Sequence, residues 1–418
     1  MGSKQMSQTI FEYKLKSRNP KTPHFYATIF LGVLIFTFIE SMYSNSKIHY
    51  FNLKSSHGTN NAAVAQFGSS ENHVVMAEQQ SEEAENYDPL IPPDNVSRDE
   101  RIAWFRRQLP EIEVLKSTTL SQQFHSRVYN FFNQGCSVLH HIIWMSPARS
   151  FGKREFLTMD SFFKANPDGC LLIVSRSMDS PRGYAILKPL LDQGFKVQAV
   201  TPDLPFLVKD TPAEPWLEQI NSGTKDPGYV PLSNNLSNLI RLTILYKYGG
   251  VYMDTDLIVL RDFSDLRNTI GAQSLDPVTR HWVILNNGVM IFDINHPILL
   301  EFMQEFATTF NGNKWGYNGP QLVQRVIERN GGTEGFNLTI LSPRAFYPVD
   351  RVRVWRFLKK PKDESESRWV ESQLNELSRR EIYSVHLWNK RTKDLEIEEG
   401  SVMAKLISNH CVVCDGRA

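Results

Sequence analysis

Downstream of its N-terminal third, the chain alternates short strand-like, mainly apolar runs with amphipathic stretches. The runs at 138–145, 171–175 and 195–200 read as buried strands, and FGKREFLTMDSFFKAN and LKPLLDQG between them read as helices. Strands alternating with helices predict an α/β domain with a largely parallel sheet. Upstream, RDERIAWFRRQL carries Ile102, Phe105 and Leu109 at helical spacing, so order is predicted to resume near Arg98. A proline-rich segment, 201–231, interrupts the alternation, and its length predicts a functional loop or lid. Then comes LSNLIRLTILYKYGG, a helix ending in a glycine pair, with apolar strand-like runs at 251–253 and 257–260 on either side of Asp254, Thr255 and Asp256.

Two carboxylates inside an apolar stretch need a partner, because an ionised group taken out of water otherwise costs several kcal/mol or neutralises. Within a strand, positions i and i+2 share a face, so Asp254 and Asp256 are predicted to point the same way with Thr255 opposite. An Asp-x-Asp triplet arises readily by chance. The strand–glycine–helix setting is what raises this one to a hard oxygen site suited to Mg or Mn and a substrate phosphate. The helix delivers the pair to the sheet edge, where open α/β folds bind ligands. Neither GxGxxG nor a P-loop is present, which removes Rossmann dehydrogenases and P-loop kinases from consideration. Blander readings apply elsewhere: His140 and His141 as strand residues on alternate faces, Asp179 as a solvated loop carboxylate, and Trp315 and Tyr317 as either core aromatics or a sugar-stacking surface.

The remaining signals concern address. Residues 25–39 (FYATIFLGVLIFTFI) carry no charge and follow Lys14, Lys16, Arg18 and Lys21. This predicts a signal anchor over 23–43 with a cytosolic tail at 1–22 and everything beyond in the lumen, a type II orientation. Residues 44–97, rich in Ser, Asn, Glu and Gln, read as a largely disordered stem, 98–135 as a helical neck and 136–418 as the catalytic domain. Sequons at Asn95, Asn235 and Asn337 suit a lumenal chain, and Asn235 is expected to stay bare because it opens the helix leading to the Asp pair. Four cysteines allow three pairings. Cys136 with Cys170, and Cys411 with Cys414, is the favoured one, although a CxxC is also compatible with redox chemistry or zinc. Net charge is +1, with no basic stripe to suggest nucleic acid as a partner.

Several blocks in order, SNLIRLTILYKYGGVYMDTDLIVL, LNNGVMIFD, NGNKWGYNGPQLVQRV, AFYPVD and YSVHLWNK, resemble glycosyltransferase family 32, specifically its α1,4-galactosyltransferase group and their plant relatives. The resemblance implies a GT-A-type fold (a mixed, mostly parallel sheet flanked by helices). It also implies a Golgi membrane enzyme that transfers a hexose, galactose or N-acetylglucosamine, with retention of configuration. The donor would be a UDP-linked nucleotide sugar, the acceptor a glycan or glycolipid, and the cofactor Mn2+ or Mg2+. Carried onto this chain, it makes Asp254, Asp256 and His386 the metal-holding and catalytic set. Ser237, Asn238, Arg241, Tyr252, Asp254, Thr255, Asn287, Gly288 and Trp388 become donor-binding, and Trp315, Tyr317, Gly319, Pro320 and Gln321 fall on the acceptor side. One departure stands out: many relatives have Ser-Asp where this chain has Ser237-Asn238, which leaves a catalytically inactive, membrane-tethered sugar-binding or scaffold protein of the same fold as the alternative.

Overall fold

The computed structural model describes residues 88–136, 139–330 and 335–414. The expected tail, anchor and most of the stem lie outside the described residues. Among the described residues no helix is long and apolar enough to cross a membrane.

In chain order the elements are α1 (Arg98–Gln108), α2 (Phe124–Phe132), β1 (Leu139–Ile143), α3 (Lys153–Ala165), β2 (Cys170–Val174), α4 (Pro181–Leu191), β3 (Lys196–Val200), α5 (Leu204–Val208), α6 (Glu214–Asn221), α7 (Leu232–Tyr248), β4 (Gly250–Met253), β5 (Leu257–Val259), β6 (Thr269–Leu275), β7 (Trp282–Phe292), α8 (Pro297–Thr309), α9 (Pro320–Arg329), β8 (Thr339–Leu341), α10 (Pro343–Phe346), α11 (Val354–Phe357), α12 (Glu364–Leu377), β9 (Ser384–His386), α13 (Asn389–Thr392) and α14 (Val402–Asn409). Seven strands form one sheet in the order β3-β2-β1-β4-β7-β6-β8, and β5 pairs with β9 in a second. The β3-β2-β1-β4 half is parallel, β7 runs antiparallel to β4 and β6, and β8 is parallel to β6. The mixed, mostly parallel sheet flanked by helices is therefore as expected.

The sheet is buried on both faces, and its strand β2, CLLIV, is accordingly a continuous apolar run rather than an alternating one. In β2, Cys170, Leu172 and Val174 enter a core shared with α7 and α8, while Leu171 and Ile173 enter one shared with α3 and α4. Residues 98–135, expected as a neck, are helical and send Phe105, Phe124, Val128 and Phe131 into the first of these cores. A third core joins β5 and β9 to α11, α12 and α14. The favoured cysteine pairing is present, Cys136 with Cys170 and Cys411 with Cys414.

Three expectations need correction. Segment 201–231 is no lid: it folds into α5 and α6, and Trp216 and Leu217 are buried against the main core. Asp179 is not solvated. It accepts two hydrogen bonds from Arg127, at 2.6 and 2.8 Å, and others from the Thr201 backbone and hydroxyl. Asp254 and Asp256 also do not share one strand. β4 ends at Met253 and β5 begins at Leu257, so the pair occupies the turn between the two sheets.

The glycine pair before that turn has a steric reason. Gly249 and Gly250 both adopt positive φ, 65° and 91°, and a Cβ on Gly250 would come within 2.6 Å of the Leu139 carbonyl oxygen on β1. Only glycine reverses from α7 into β4 this close to its neighbour strand.

Candidate active site

Each aspartate has one oxygen held by the protein and one turned to a shared space. Asp254 Oδ1 accepts the Tyr252 hydroxyl at 2.5 Å and lies 3.2 Å from Arg241 Nη1. Asp256 Oδ2 accepts the Asn389 backbone N–H at 2.8 Å. The other two oxygens face His386: its Nε2 is 3.3 Å from Asp256 Oδ1 and 3.9 Å from Asp254 Oδ2. The ring is aimed by its far nitrogen, since Trp388 N–H donates to Nδ1 at 2.9 Å. His386 comes from β9, which pairs with β5 so that Leu257 sits opposite it. The sheet pairing thus brings the imidazole to the turn.

Two carboxylate oxygens and an imidazole nitrogen, all within 4.8 Å of one another, make a donor set that fits a divalent cation. Room is left for it: the two aspartate side chains keep 29% and 14% of their surface exposed. At Gly288 a Cβ would lie 2.9 Å from Asp254 Oδ2, so the missing side chain keeps that oxygen clear.

The electrostatics of the two acids differ. Burial raises the Asp254 carboxyl, but the Arg241 guanidinium and His386 outweigh it and hold the group below the usual carboxylate range. Asp256 is pushed up by burial, with His386 opposing and the Asp254 charge adding to the rise. His386 loses basicity to burial, yet the two aspartates more than restore it and lift it above its ordinary value.

The donor-side residues converge on this turn. Arg241, 6% exposed, donates to the Asn287 carbonyl at 2.7 Å and to Ser237 Oγ at 3.2 Å, and stacks over the Tyr252 ring. Asn287 Nδ2 donates to Asn238 Oδ1 at 3.0 Å, so the amide that stands in place of the family's acid is engaged by a neighbour. Thr255 is partly exposed in the turn itself. Trp388 packs on His386 with ring centres 4.3 Å apart and donates its indole N–H to the Val349 carbonyl.

The acceptor-side residues divide. Gly319 belongs to the cluster, because a Cβ there would meet Asn238 Oδ1 at 2.6 Å and Asn287 Nδ2 at 3.1 Å; Pro320 and Gln321 open α9 just behind it. Trp315 is half exposed under the Lys390 ammonium, 3.7 Å from its ring centre, and so is not a core aromatic. Tyr317 is half-buried, with Arg325 of α9 stacked on its ring at 4.0 Å. His140 and His141 are buried within the sheet, His141 against the Gly249 carbonyl and opposite Tyr252 on β4.

Sequence reasoning missed Tyr347 and Asn389. Tyr347 follows α10, and its hydroxyl oxygen accepts the Val289 N–H at 3.2 Å, beside Gly288. Asn389 holds Asp256. Both stood inside quoted blocks, AFYPVD and YSVHLWNK, which was the available signal.

An Asp-x-Asp turn at the carboxyl end of the central strand β4, with an oxygen and nitrogen donor set that fits a divalent cation, is the arrangement of a glycosyltransferase-type site. Residues 152–276 match the "Glycosyltransferase sugar-binding region containing DXD motif", and residues 291–418 the "Alpha 1,4-glycosyltransferase conserved region". The chain belongs to this α1,4-glycosyltransferase family. It is 31% identical over 224 residues to lactosylceramide 4-alpha-galactosyltransferase of Pongo pygmaeus, covering 51% of this chain and 94% of that one. It is 32% identical over 221 residues to human alpha-1,4-N-acetylglucosaminyltransferase, covering 50% and 58%. An uncharacterized protein of Arabidopsis thaliana is 30% identical over 300 residues; the match takes in 70% of this chain but only 45% of the length of that relative. Among solved structures, the PaToxG glycosyltransferase is similar at 20% identity and a TM-score of 0.35, covering 56% of this chain and 80% of that one.

Proposed function

We propose that the chain is a type II Golgi membrane enzyme with a lumenal GT-A-type catalytic domain. It transfers a hexose, galactose or N-acetylglucosamine, from a UDP-linked donor to a glycan or glycolipid acceptor with retention of configuration. The observation that carries this reading is the convergence of Asp254 Oδ2, Asp256 Oδ1 and His386 Nε2 on one space, each aimed by a separate hydrogen bond or contact. Relatives named for galactosyl and N-acetylglucosaminyl transfer support the choice of sugars. Two disulfides and the exposed sequons Asn95 and Asn337 support the lumenal address.

Asp254, Asp256 and His386 would hold Mn2+ or Mg2+, which when bound supplies Lewis-acid stabilisation of charge building on the departing diphosphate. The chain's own groups do the rest. Arg241 keeps Asp254 ionised, and Tyr252 fixes which of its oxygens turns inward. Asn238 and Asn287, joined amide to amide beside Gly319, present polar groups to the sugar hydroxyls without adding charge. Both aspartates are committed to holding the cation, which favours a front-face route in which the leaving phosphate accepts the acceptor proton. A covalent sugar adduct trapped on any side chain would overturn that route.

The rival reading, an inactive sugar-binding or scaffold protein, draws on Asn238. Assaying the full-length chain against a panel of nucleotide sugars, with Mn2+ and with chelator, decides between them. Cation-dependent turnover of a UDP-hexose is expected, and no turnover of any donor would favour the scaffold.

A further inference from the structure

The Asn389 backbone reaches Asp256 from an unfavourable conformation. Trp388, just before it, has φ 55° and ψ 51°, a left-handed geometry that is strained for a non-glycine residue. The turn carries its own hydrogen bonds, from the Arg391 and Thr392 N–H groups to the Trp388 carbonyl, and a second set reaches it from outside. The first turn of α3 supplies the grip on both ends of the Asn389 amide. Arg154 Nη1 donates to Asn389 Oδ1 at 3.4 Å, while Asn389 Nδ2 donates to Glu155 Oε1 at 3.3 Å. Arg154 also donates to Thr392 Oγ1 at 3.0 Å and to the Leu395 carbonyl, and Thr392 in turn donates to the Leu387 carbonyl at 2.6 Å. Glu155 is itself anchored, its other oxygen accepting the Gly152 N–H at 2.9 Å. A guanidinium on one end and a carboxylate on the other demand a side chain that both accepts and donates. An amide does this, whereas aspartate would face Glu155 with like charge.

We infer that Arg154 and Glu155 are positioning residues for Asp256, acting through Asn389: they fix the Asn389 N–H on Asp256 Oδ2 and so reserve Oδ1 for the cation. The inference rests on the reading of Asp254, Asp256 and His386 as a cation site, and it adds a layer that ties α3 to the far end of the chain. Partners that orient a metal ligand typically change metal affinity by about 10–100-fold when removed. A merely structural role would instead lower the melting temperature and leave the affinity of the folded protein alone.

The test is Mn2+ titration of the full-length chain without donor, following free Mn2+ by electron paramagnetic resonance, together with thermal melts. Asn389→Ala keeps the backbone N–H and removes only the gripped amide; it is expected to raise the Mn2+ Kd about tenfold. Arg154→Ala should do the same, the double variant should be no weaker than either single one, and Arg154→Lys, keeping one donor, should recover most of the affinity. If Arg154→Ala does not fold, Asn389→Ala and Arg154→Lys decide alone. A Kd within twofold of wild type in Asn389→Ala, while Asp256→Asn loses Mn2+, would overturn the positioning role and leave the cation site standing. If Asp256→Asn binds Mn2+ like wild type, the cation reading fails and the positioning role fails with it.

Discussion

Asp254 and Asp256 are separated by one residue yet belong to two differently built regions. Asp254 leaves the large sheet at the end of β4 and is surrounded by groups made before it or just after it: Arg241 and Tyr252 upstream, Asn287 and Gly288 on the neighbouring β7. Asp256 enters the small β5–β9 sheet and depends on residues from much later in the chain, His386 and Asn389. The first acid has a permanent cation beside it. The second has a histidine and a backbone N–H, and shares its space with the first acid's charge. One carboxylate is thus held ionised by a neighbouring guanidinium, and the other sits among a histidine, a backbone N–H and a like charge.

The sharpest way to break this contrast is to neutralise each acid in turn. Asp254→Asn and Asp256→Asn should each reduce transfer by about a hundredfold or more, since a lost charge-stabilising group costs on the order of 3 kcal/mol. Their melting temperatures should part, however. Asp254→Asn strands the buried Arg241 guanidinium and should destabilise the protein, whereas Asp256→Asn removes a charge that burial, and then the neighbouring Asp254, disfavours and should leave the cation-free protein as stable as before or more so. Equal melting temperatures would mean that the two environments do not differ as described.

A smaller effect is expected from Gly288→Ala. Its Cβ would press on Asp254 Oδ2, so the Mn2+ Kd measured by titration should rise about tenfold, while an alanine at a position that merely turns the chain would leave it unchanged.

The pH dependence is subtler still. His386 and Asp256 both have folded pKa values above their unfolded ones, so each contributes stability that is present below its unfolded pKa and lost as pH rises through its folded pKa. For His386 that window begins near its ordinary value of 6.5 and extends upward. Asp254 behaves oppositely, its contribution being lost only as pH falls below the ordinary carboxylate range. The cation-free protein should therefore melt at lower temperature as pH rises above neutral. Added Mn2+ should raise the melting temperature more at pH 8 than at pH 6, because protons and cation compete for the same groups. Calorimetric scans at the two pH values, with and without Mn2+, check the sign.

The last expected effect is on glycan occupancy. Asn235 is 2% exposed and accepts from the Asn318 amide at 2.9 Å, whereas Asn95 and Asn337 are exposed. Glycopeptide mass spectrometry should find the latter two modified and Asn235 bare.

The Asp254 region was the more legible from sequence. Its strands are short apolar runs bounded by glycines, and its helix and acids are contiguous in the chain. The break after Met253 was hidden because 251–253 and 257–260 look like one strand interrupted by polar residues, and nothing local says that they join different sheets. The helices within 201–231 were masked by their prolines, yet Pro205 and Pro215 stand in first turns, where proline is tolerated, and Asp203 caps the first of them. Asp179 was misjudged because its partner Arg127 lies 52 positions upstream, beyond any local pattern. His386 was reachable through the family resemblance. Arg154 and Glu155 were not, for their link to Asn389 spans 234 positions and has no motif.

The closure of distant segments onto α3 has a consequence for how the protein comes to exist. Beyond its grip on Asn389, the same helix buries Asp160, whose Oδ1 accepts the Val412 and Val413 N–H groups from inside the Cys411–Cys414 loop, a separation of 252 positions for the first of them. Its Thr158 and Ser161 hydroxyls meanwhile accept the Leu257 and Val259 N–H groups of β5. A ribosome therefore delivers the two acids 133 residues before the segment that completes the second of them, and delivers the partners of Asp160 later still. Translation at about 5–20 residues per second leaves the nascent chain for several seconds with a half-formed pocket and a buried acid lacking its partners. The pocket is complete only once Asn389 has been made and has packed back against α3.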